Sequence, residues 1–236
     1  YNPLTKEQES QPFLDMNSMG SMHYILKKGG SLGDIYTTQD FTRDAKGRVL
    51  VNKNGSLSVS NFKDDQMVKL GSVLPSHNLG WTNELSYKGL SLGFALTGRV
   101  GGVVVSMTQA ALDHYGVSEA TAAARDLGFV PVDGRPIDPQ SYFIARGMNR
   151  LAQYYVYDAT NFRLQDLHIS YRYKFPASIF ISDATLSLYG RNLCFIYNNA
   201  PFDPESVSST ANYNQGMDYF MLPSQRTLGF SLSLNF

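Results

Sequence analysis

Strict alternation of apolar and polar residues near the C-terminus most constrains what this chain can fold into. Residues Thr227 to Phe236 read TLGFSLSLNF, so leucine or phenylalanine occupies every second position. Successive side chains of a β-strand point to opposite faces of its sheet, and this period of two therefore predicts a strand with one apolar face. The opposite face carries no charged residue. A segment of this length and character is typical of a strand that crosses a membrane.

Four more segments share this alternation and are predicted to form two hairpins. Residues Arg163 to Phe175 and Ala184 to Leu193 are joined by a short connection that opens with Pro176, which cannot donate to a ladder. Upstream, Leu79 to Tyr87 and the strand that begins at Leu90 flank Lys88-Gly89, a two-residue turn. A weaker candidate, residues 23–36, is interrupted by three glycines.

The connections between the predicted strands alternate in length. Residues 37–78, 103–160 and 198–224 are long, whereas residues 88–89 and 176–183 are short. Outer-membrane barrels have this arrangement, with extended external loops and tight periplasmic turns. Turn signals inside the first long loop predict a small accessory hairpin.

The second long loop contains the helical signals of the chain. Ser118 is a good N-cap before an alanine-rich stretch, and Gly128 is a good C-cap after it. The preceding residues 108–115 are a second candidate. We expect short packing helices within an external loop.

Composition narrows the class of protein. Twenty basic and twenty acidic residues balance, and charged residues make up only 17% of the chain. A neutral, charge-poor chain lacks the basic footprint that sequence-independent nucleic-acid binding requires. The single cysteine, Cys194, excludes an internal disulfide framework and a multi-cysteine zinc site. No apolar run is long enough for a membrane-spanning helix.

The predicted fold is therefore an all-β, antiparallel transmembrane β-barrel portion with long external loops. We count about six long strands, whereas the smallest barrels need about eight. The chain starts at Tyr1 without an initiator methionine or a signal peptide. We expect residues 1–236 to be the C-terminal part of a larger barrel.

No catalytic constellation stands out, and the prediction is a protein that is not an enzyme and needs no metal or cofactor. The four histidines lack metal-ligand spacing; they are His23, His77, His114 and His168. Asp113-His114 before Ser118 has no further support as an acyl-transfer site. Asp203 and Glu205 flank a proline and are interpreted as turn formers.

The loop 198–224 has the composition of a recognition surface, because it combines rigid aromatic rings with adaptable amides. The candidate substrate- or partner-binding residues are Tyr213, Asn214, Gln215, Asp218 and Tyr219, with Phe220 beside them. A loop folded on itself is an equally weighted alternative.

Five strings, spread over nearly the whole chain, resemble the C-terminal part of SusC/RagA-type TonB-dependent transporters of the Bacteroidetes outer membrane. The strings are GGSLGDIY (Gly29 to Tyr36), KLGSVLPSHNLGWTNELSYKG (Lys69 to Gly89), YDATNFRLQDLHISYRY (Tyr157 to Tyr173), LYGRNLCFIYNNAPFDPE (Leu188 to Glu205) and LPSQRTLGFSLSLNF (Leu222 to Phe236). Each string alone is weak, but together they occur in the family's order.

The resemblance implies a 22-stranded barrel whose lumen is plugged. It also implies a SusD-like surface lipoprotein as a lid, and import of an oligosaccharide or peptide driven by the inner-membrane TonB complex. The plug and the TonB-contacting segment have no counterpart in this sequence. The aromatic residue Phe236 matches the end that the barrel-assembly machinery recognises.

The residues alone are also compatible with two other classes of protein. The first is a passive porin or barrel adhesin without energy coupling, which a full-length sequence without a plug would favour. The second is a soluble β-rich carbohydrate-binding fragment. Extraction distinguishes it, because a membrane barrel requires detergent and a soluble sandwich does not.

Overall fold

The computed structural model of the protein describes residues 13–63, 66–148, 150–176, 180–208 and 215–236, and these are mostly β-structure. The N-terminal elements are β1 (Phe13–Met19), β2 (Met22–Lys27), β3 (Asp34–Thr37), β4 (Gln39–Phe41), β5 (Val59–Asn61), β6 (Val68–Ser72), β7 (His77–Tyr87) and β8 (Leu90–Val100). The central elements are β9 (Val103–Ser106), α1 (Met107–His114), α2 (Glu119–Leu127), β10 (Val130–Val132), β11 (Arg135–Ile137), α3 (Pro139–Arg146), the 3-10 helix Ala152–Tyr155 and β12 (Val156–Asp158). The C-terminal elements are β13 (Asn161–Lys174), β14 (Asp183–Asn198), β15 (Met217–Asp218) and β16 (Thr227–Asn235).

The chain divides into two compact units. The strand unit comprises the described residues of Pro75–Gly101, Ala159–Ser206 and Leu222–Phe236. The loop unit comprises the described residues of Tyr1–Leu74, Gly102–Asp158 and Val207–Met221. Among the helices in these residues, none combines the length and the hydropathy needed to cross a membrane.

The strand unit is a single antiparallel sheet in the order β16-β14-β13-β8-β7. Both predicted hairpins are present, formed by β7 with β8 and by β13 with β14. The first hairpin turns at Lys88 and Gly89, whose φ angles of 48° and 86° both lie in the left-handed region. Two positive φ angles match the twist of the flanking strands, which is why glycine suits this turn.

Two neighbouring rows of this sheet each repeat one kind of side chain across all five strands, and directly paired residues share a face. One in-register row consists of Ser86, Ser91, Ser170, Ser187 and Ser231. The adjacent row, on the opposite face, consists of Leu85, Leu92, Ile169, Leu188 and Phe230. The second face leaves large apolar side chains exposed, and Phe230 reaches 75% exposure.

Two strand predictions differ in extent from the structure. β14 continues to Asn198, beyond the predicted end at Leu193, because register irregularities let the ladder resume after each interruption. The candidate strand over residues 23–36 is two strands, β2 and β3, separated by a turn in which Gly30 N–H donates to the Lys27 carbonyl at 2.9 Å. The glycines there break the strand, as the sequence indicates.

The loop unit contains the sheets β1-β2-β3-β6 and β12-β9-β15, with two small two-stranded sheets. Its first apolar core gathers buried residues from segments far apart in the sequence. They are Met22, Tyr24, Ile35, Val73, Val105, Met107, Ala110, Ala152, Tyr155 and Met217. Burial of these side chains is the main force that holds the segments together.

A second apolar core joins the predicted accessory hairpin to the helical segment. The hairpin is present, with turns closed by Gly47 N–H to the Asp44 carbonyl and Gly55 N–H to the Asn52 carbonyl. The buried residues of this core are Phe41, Val49, Leu57, Ile137, Ala145 and Leu151. Within the loop unit, described residues of the segments 41–57 and 137–151 are therefore packed against each other.

The predicted helix caps are confirmed. Ser118 accepts a hydrogen bond from Thr121 N–H at the start of α2, and Gly128 ends the helix with a φ of 81°. The second helical candidate is α1, which begins at Met107 after Ser106 caps it. A third helix, α3, begins after the cap Asp138 and was not predicted from the sequence.

Candidate functional site

Two of the predicted external loops meet in the sheet β12-β9-β15. β9 opens the helical segment, and β15, from the loop 198–224, pairs with it in parallel. The Ser106 hydroxyl donates to the Asp218 carboxylate at 2.9 Å, and the Thr108 hydroxyl accepts from Phe220 N–H at 2.6 Å. The loop 198–224 is therefore hydrogen-bonded to the start of the helical segment.

The predicted recognition residues divide into three groups. Tyr213 and Asn214 lie outside the described residues. The Gln215 carbonyl accepts from the Tyr24 hydroxyl at 2.9 Å, and Asp218 is buried, so both hold the loop in place. Tyr219 is 55% exposed, and its ring lies 5.3 Å from that of Phe220. Both rings are exposed, as are the neighbouring side chains of Met221 and Leu222.

A buried ion pair organises the helical segment. Arg146 of α3 contacts Asp113 of α1 at 2.8 Å, and the Tyr155 hydroxyl donates to the same carboxylate at 3.1 Å. The guanidinium also lies 5.1 to 5.6 Å from the ring centroids of Tyr142, Phe143, Tyr154 and Tyr155. Arginine on aromatic faces adds cation–π attraction to the ion pair.

Burial is the main cause of the raised pKa values of two tyrosine hydroxyls in this cluster. It raises the pKa of the Tyr155 hydroxyl above its ordinary value, and the nearby Arg146 guanidinium opposes this shift only in part. Burial, followed by the Asp40 carboxylate, raises the pKa of Tyr154 to about 12. Both hydroxyls are protonated at neutral pH, and that of Tyr155 donates to the Asp113 carboxylate.

A cleft of about 500 Å³ opens beside this cluster. Its lining includes His114, Tyr115, Thr121, Arg125, Asp138 and Phe143. The Nδ1 atom of His114 is buried and has no hydrogen-bond partner among the described residues. The lining combines charged, polar and aromatic groups, which suits a small polar ligand rather than a purely apolar one. Cap signals locate α2 in the sequence, but no pattern there indicates the cleft.

In the strand unit, several residues of the matched sequence strings form one polar cluster. Arg163 contacts Asp203 at 2.7 Å and Glu205 at 3.3 Å, and it donates to the Asn192 side-chain oxygen at 3.1 Å. Asp203 does form the expected turn, since its carboxylate accepts from Glu205 N–H. The turn-former interpretation omitted the ion pair, because its arginine is distant in the sequence.

The remaining reactive side chains form no site in the described part of the chain. No group of three or more histidine, cysteine, aspartate or glutamate residues there could hold a metal ion. Cys194 is a free, exposed thiol on β14.

The known proteins that resemble this chain are of the class that its sequence strings indicate. No protein-family model matches the chain. TonB-dependent receptor P3 of Formosa agariphila is 25% identical over 243 residues, which cover 98% of this chain and 23% of the receptor. TonB-dependent receptor P26 of the same organism is 27% identical over 197 residues, with coverages of 78% and 19%. The chain thus spans less than a quarter of the length of these curated relatives.

Two solved structures of RagAB are similar to this chain in fold. The RagAB peptide importer in its open-open state matches with a TM-score of 0.55 and 17% identity, over 95% of this chain and 27% of that chain. The RagAB peptide transporter matches with a TM-score of 0.56 and 14% identity, over 91% and 26%. These relatives are receptors and importers, not enzymes. The chain is therefore similar in sequence to TonB-dependent receptors and similar in fold to part of the RagAB importer, in agreement with the resemblance that its sequence strings carry.

Proposed function

We propose that this chain is the C-terminal barrel part of a TonB-dependent transporter in the outer membrane of a Gram-negative, Bacteroidetes-like bacterium. The transporter imports a nutrient such as an oligosaccharide or a peptide. The observation that carries the proposal is the five-stranded sheet, with apolar side chains exposed on one face and serines aligned on the other. Lipid-facing and lumen-facing residues alternate in this way along membrane barrels.

The strand pairing supports the proposal that this sheet is part of a larger barrel. In the described part of the chain, β7 and β16 each pair with a neighbour on one side only. An unpaired strand edge in lipid leaves backbone groups without hydrogen bonds, which costs several kcal/mol for each group. We infer that further strands of the complete protein close the sheet, up to the 22 that the resemblance implies.

The ends of the strands carry aromatic residues suited to the two membrane–water interfaces. Near the turn at Lys88-Gly89, the exposed aromatic side chains are Tyr87, Tyr171 and Tyr173. Phe236 lies beside Phe180 at a ring separation of 5.5 Å. Tyr197 lies at the opposite end of β14, and the exposed Trp81 lies near the middle of β7. Amphipathic rings favour this depth, and Phe236 also fits the proposed barrel-assembly signal.

The proposed mechanism begins at the loop unit. A SusD-like lipoprotein lid and the external loops capture the ligand, with Tyr219 and the cleft beside Arg146 as candidate contacts. The TonB complex then displaces the plug, which belongs to the part of the protein outside this sequence. The ligand passes along the polar face, whose serine row presents small, uncharged hydroxyl groups. Such a wall binds weakly and allows passage.

The experiment is uptake by intact cells that carry the full-length gene, with a deletion strain as the control. Cells receive fluorescently labelled peptide and oligosaccharide mixtures, with and without a functional TonB. We expect uptake of one mixture only when both the transporter and TonB are present. Uptake that persists without TonB would favour the passive porin. Release of the protein into buffer without detergent would favour the soluble carbohydrate-binding alternative.

A further inference from the structure

The cleft among the helices of the loop unit has the size of a ligand site. Its volume is about 500 Å³, and small-molecule sites in proteins usually span about 300–1,000 Å³. Its lining comes from α1, α2, α3 and the residues that flank these helices, all within the loop unit. No lining residue belongs to a β-strand. A ligand in this cleft therefore meets side chains, with no open sheet edge to pair with.

The buried acidic group of the cleft is already engaged. One carboxylate oxygen of Asp113 contacts Arg146 at 2.8 Å and accepts from the Tyr155 hydroxyl at 3.1 Å. The other oxygen accepts from the side-chain amide of Gln109 at 2.7 Å. Since both oxygens are occupied and the charge is neutralised, Asp113 offers nothing to attract a cationic ligand.

Exposed polar side chains line the cleft on α2 and at the start of α3; they are Arg125, Asp138 and Gln140. Arg125 is held by a hydrogen bond from its Nη1 atom to the Gly116 carbonyl at 2.7 Å, and its guanidinium carries further N–H donors. One oxygen of Asp138 caps α3 by accepting from Ser141 N–H at 2.8 Å, and the second oxygen is another acceptor. Donors and acceptors are thus placed in the cleft before a ligand arrives, which reduces the entropic cost of binding.

An aromatic ring adds apolar surface to these polar groups. Tyr115 also lines the cleft and is 69% exposed, and its ring meets that of His114 edge to face at 5.2 Å. Tyrosine offers a large, rigid contact area at a low cost in conformational entropy. A sugar ring carries C–H groups on its faces and hydroxyl groups around its edge. An exposed aromatic ring beside donors and acceptors matches that arrangement.

The charges in the cleft favour a neutral ligand. Arg125 contributes a positive charge and Asp138 a negative charge, whereas Asp113 is neutralised. An anionic group placed at Arg125 also meets the Asp138 carboxylate, and the juxtaposition of like charges is costly. A hydroxyl group both donates and accepts hydrogen bonds, so a neutral hydroxylated ligand can use both residues.

The helical lining also favours a sugar over a peptide. A common way to bind an extended peptide is to add it as a strand to an exposed sheet edge, where main-chain hydrogen bonds supply the affinity. The lining of this cleft contains no strand. A sugar ring is recognised through its hydroxyl groups and needs no such edge.

We propose that this cleft binds one neutral sugar unit of an oligosaccharide: Arg125, Asp138 and Gln140 hydrogen-bond its hydroxyl groups, and Tyr115 packs against the face of its ring. The assignment rests on the proposed import function and deepens it, because it selects oligosaccharide over peptide as the class of nutrient.

The first test measures binding to the full-length protein on intact cells that lack a functional TonB. The probe is a fluorescently labelled mixture of neutral gluco-, manno- and galacto-oligosaccharides. We expect saturable binding to wild type and an about tenfold higher half-saturating concentration for Arg125→Ala, because hydrogen bonds from a charged group are strong. Gln140→Ala removes neutral hydrogen bonds and should raise this concentration about threefold.

Two further variants control for changes in the helices themselves. Asp138→Asn keeps the cap of α3, since asparagine caps helices as well as aspartate does, and it should still raise the half-saturating concentration about threefold. Asp126→Ala removes an exposed charge next to Arg125 on α2 at a position that does not line the cleft. Its half-saturating concentration should stay within about twofold of wild type.

Two other probes test the class of ligand. They are the same oligosaccharides with their primary hydroxyls oxidised to carboxylates, and a labelled peptide mixture. Stronger binding of either probe, or no binding of the neutral mixture, overturns the proposal. Wild-type binding by Arg125→Ala and Asp138→Asn overturns it as well. If these two variants fail to assemble, judged by heat-modifiable gel mobility, the exposed Gln140→Ala decides in their place.

Uptake by cells with a functional TonB separates this assignment from the proposed import function. Wild-type cells that bind the neutral oligosaccharides but do not take them up refute the import function and leave the cleft assignment intact. Uptake with the same half-saturating concentration in wild type and Arg125→Ala refutes the cleft assignment and leaves the import function intact.

Discussion

Buried charges in this protein lie where segments that are distant in the sequence meet. Asp113 and Arg146 join α1 to α3, and Arg163 joins β13 to a loop that begins after β14. A charge removed from water needs a partner, so each pair constrains both of its segments. The sequence shows these residues only as isolated charges, because each partner is tens of residues away. Their pairing could not be predicted from local patterns.

The Asp113 carboxylate should be important for the stability of the loop unit. Asp113→Asn removes the charge that neutralises Arg146, whose side chain is 19% exposed and lies against four aromatic rings. Loss of one partner of a buried pair costs about 3–5 kcal/mol. Hydrogen exchange of residues 103–158 in the full-length protein should accelerate accordingly. Asp166→Asn, at an exposed ion pair with Arg191, is the control and should have no measurable effect on this exchange.

The turn at Gly89 should tolerate no side chain. A Cβ at this position would lie 2.6 Å from the Arg172 carbonyl oxygen, and the φ of 86° is unfavourable for any other residue. We expect Gly89→Ala to lower the stability of the refolded full-length barrel by at least about 1–2 kcal/mol in denaturant titration. Gly80→Ala in β7 is the matched control, because no atom lies within 4 Å of its added Cβ. Equal losses in both variants would contradict this explanation.

At the scale of whole elements, periodicity predicts the strands well. Alternation identifies β7, β8, β13, β14 and β16, and the caps Ser118 and Gly128 bound α2. Both signals involve residues that are close together in the chain, so they can be recognised from one sequence alone. The register irregularities along which β14 extends to Asn198 are not local, since they lie in its pairing with β13. Strand existence was therefore predictable, whereas the full length of β14 was not.

The two faces of β16 should respond differently to a charge. Leu232 is 61% exposed and pairs with Leu186, whereas Ser231 pairs with Ser187 on the opposite face. If the apolar face meets lipid, Leu232→Arg should cost about 2–4 kcal/mol or impair assembly, and Ser231→Arg should be much milder. Heat-modifiable mobility and denaturant titration of the full-length barrel measure the contrast.

Leu232→Ala completes this comparison. In a packed protein core, such a truncation leaves a cavity and costs about 2–5 kcal/mol. Fluid acyl chains fill the space instead, so the loss against lipid should be distinctly smaller. An equal effect of Leu232→Ala and Leu232→Arg would mean that this face contacts protein, and the proposed orientation of the sheet would be wrong.

At the scale of the whole molecule, the three predicted external loops contribute to one folded unit. The sequence indicates their lengths and polar character, which led us to treat them as separate loops. The structure joins them through long-range contacts such as Ser106 with Asp218, and through two apolar cores that both contact Tyr154. Isolated apolar residues in a polar loop have no period, so their association was not predictable from the sequence.

A single core truncation should therefore loosen more than one loop. Leu151 is fully buried in the second core, where it packs with the accessory hairpin of residues 41–59. Leu151→Ala should cost about 2–5 kcal/mol locally. Because the segments share this core, hydrogen exchange in the full-length protein should accelerate together in residues 41–59 and 130–158. The exposed Leu127→Ala should change neither segment. Acceleration confined to residues around position 151 would show that the loops fold independently, and ligand capture by one loop could then not be transmitted to the others.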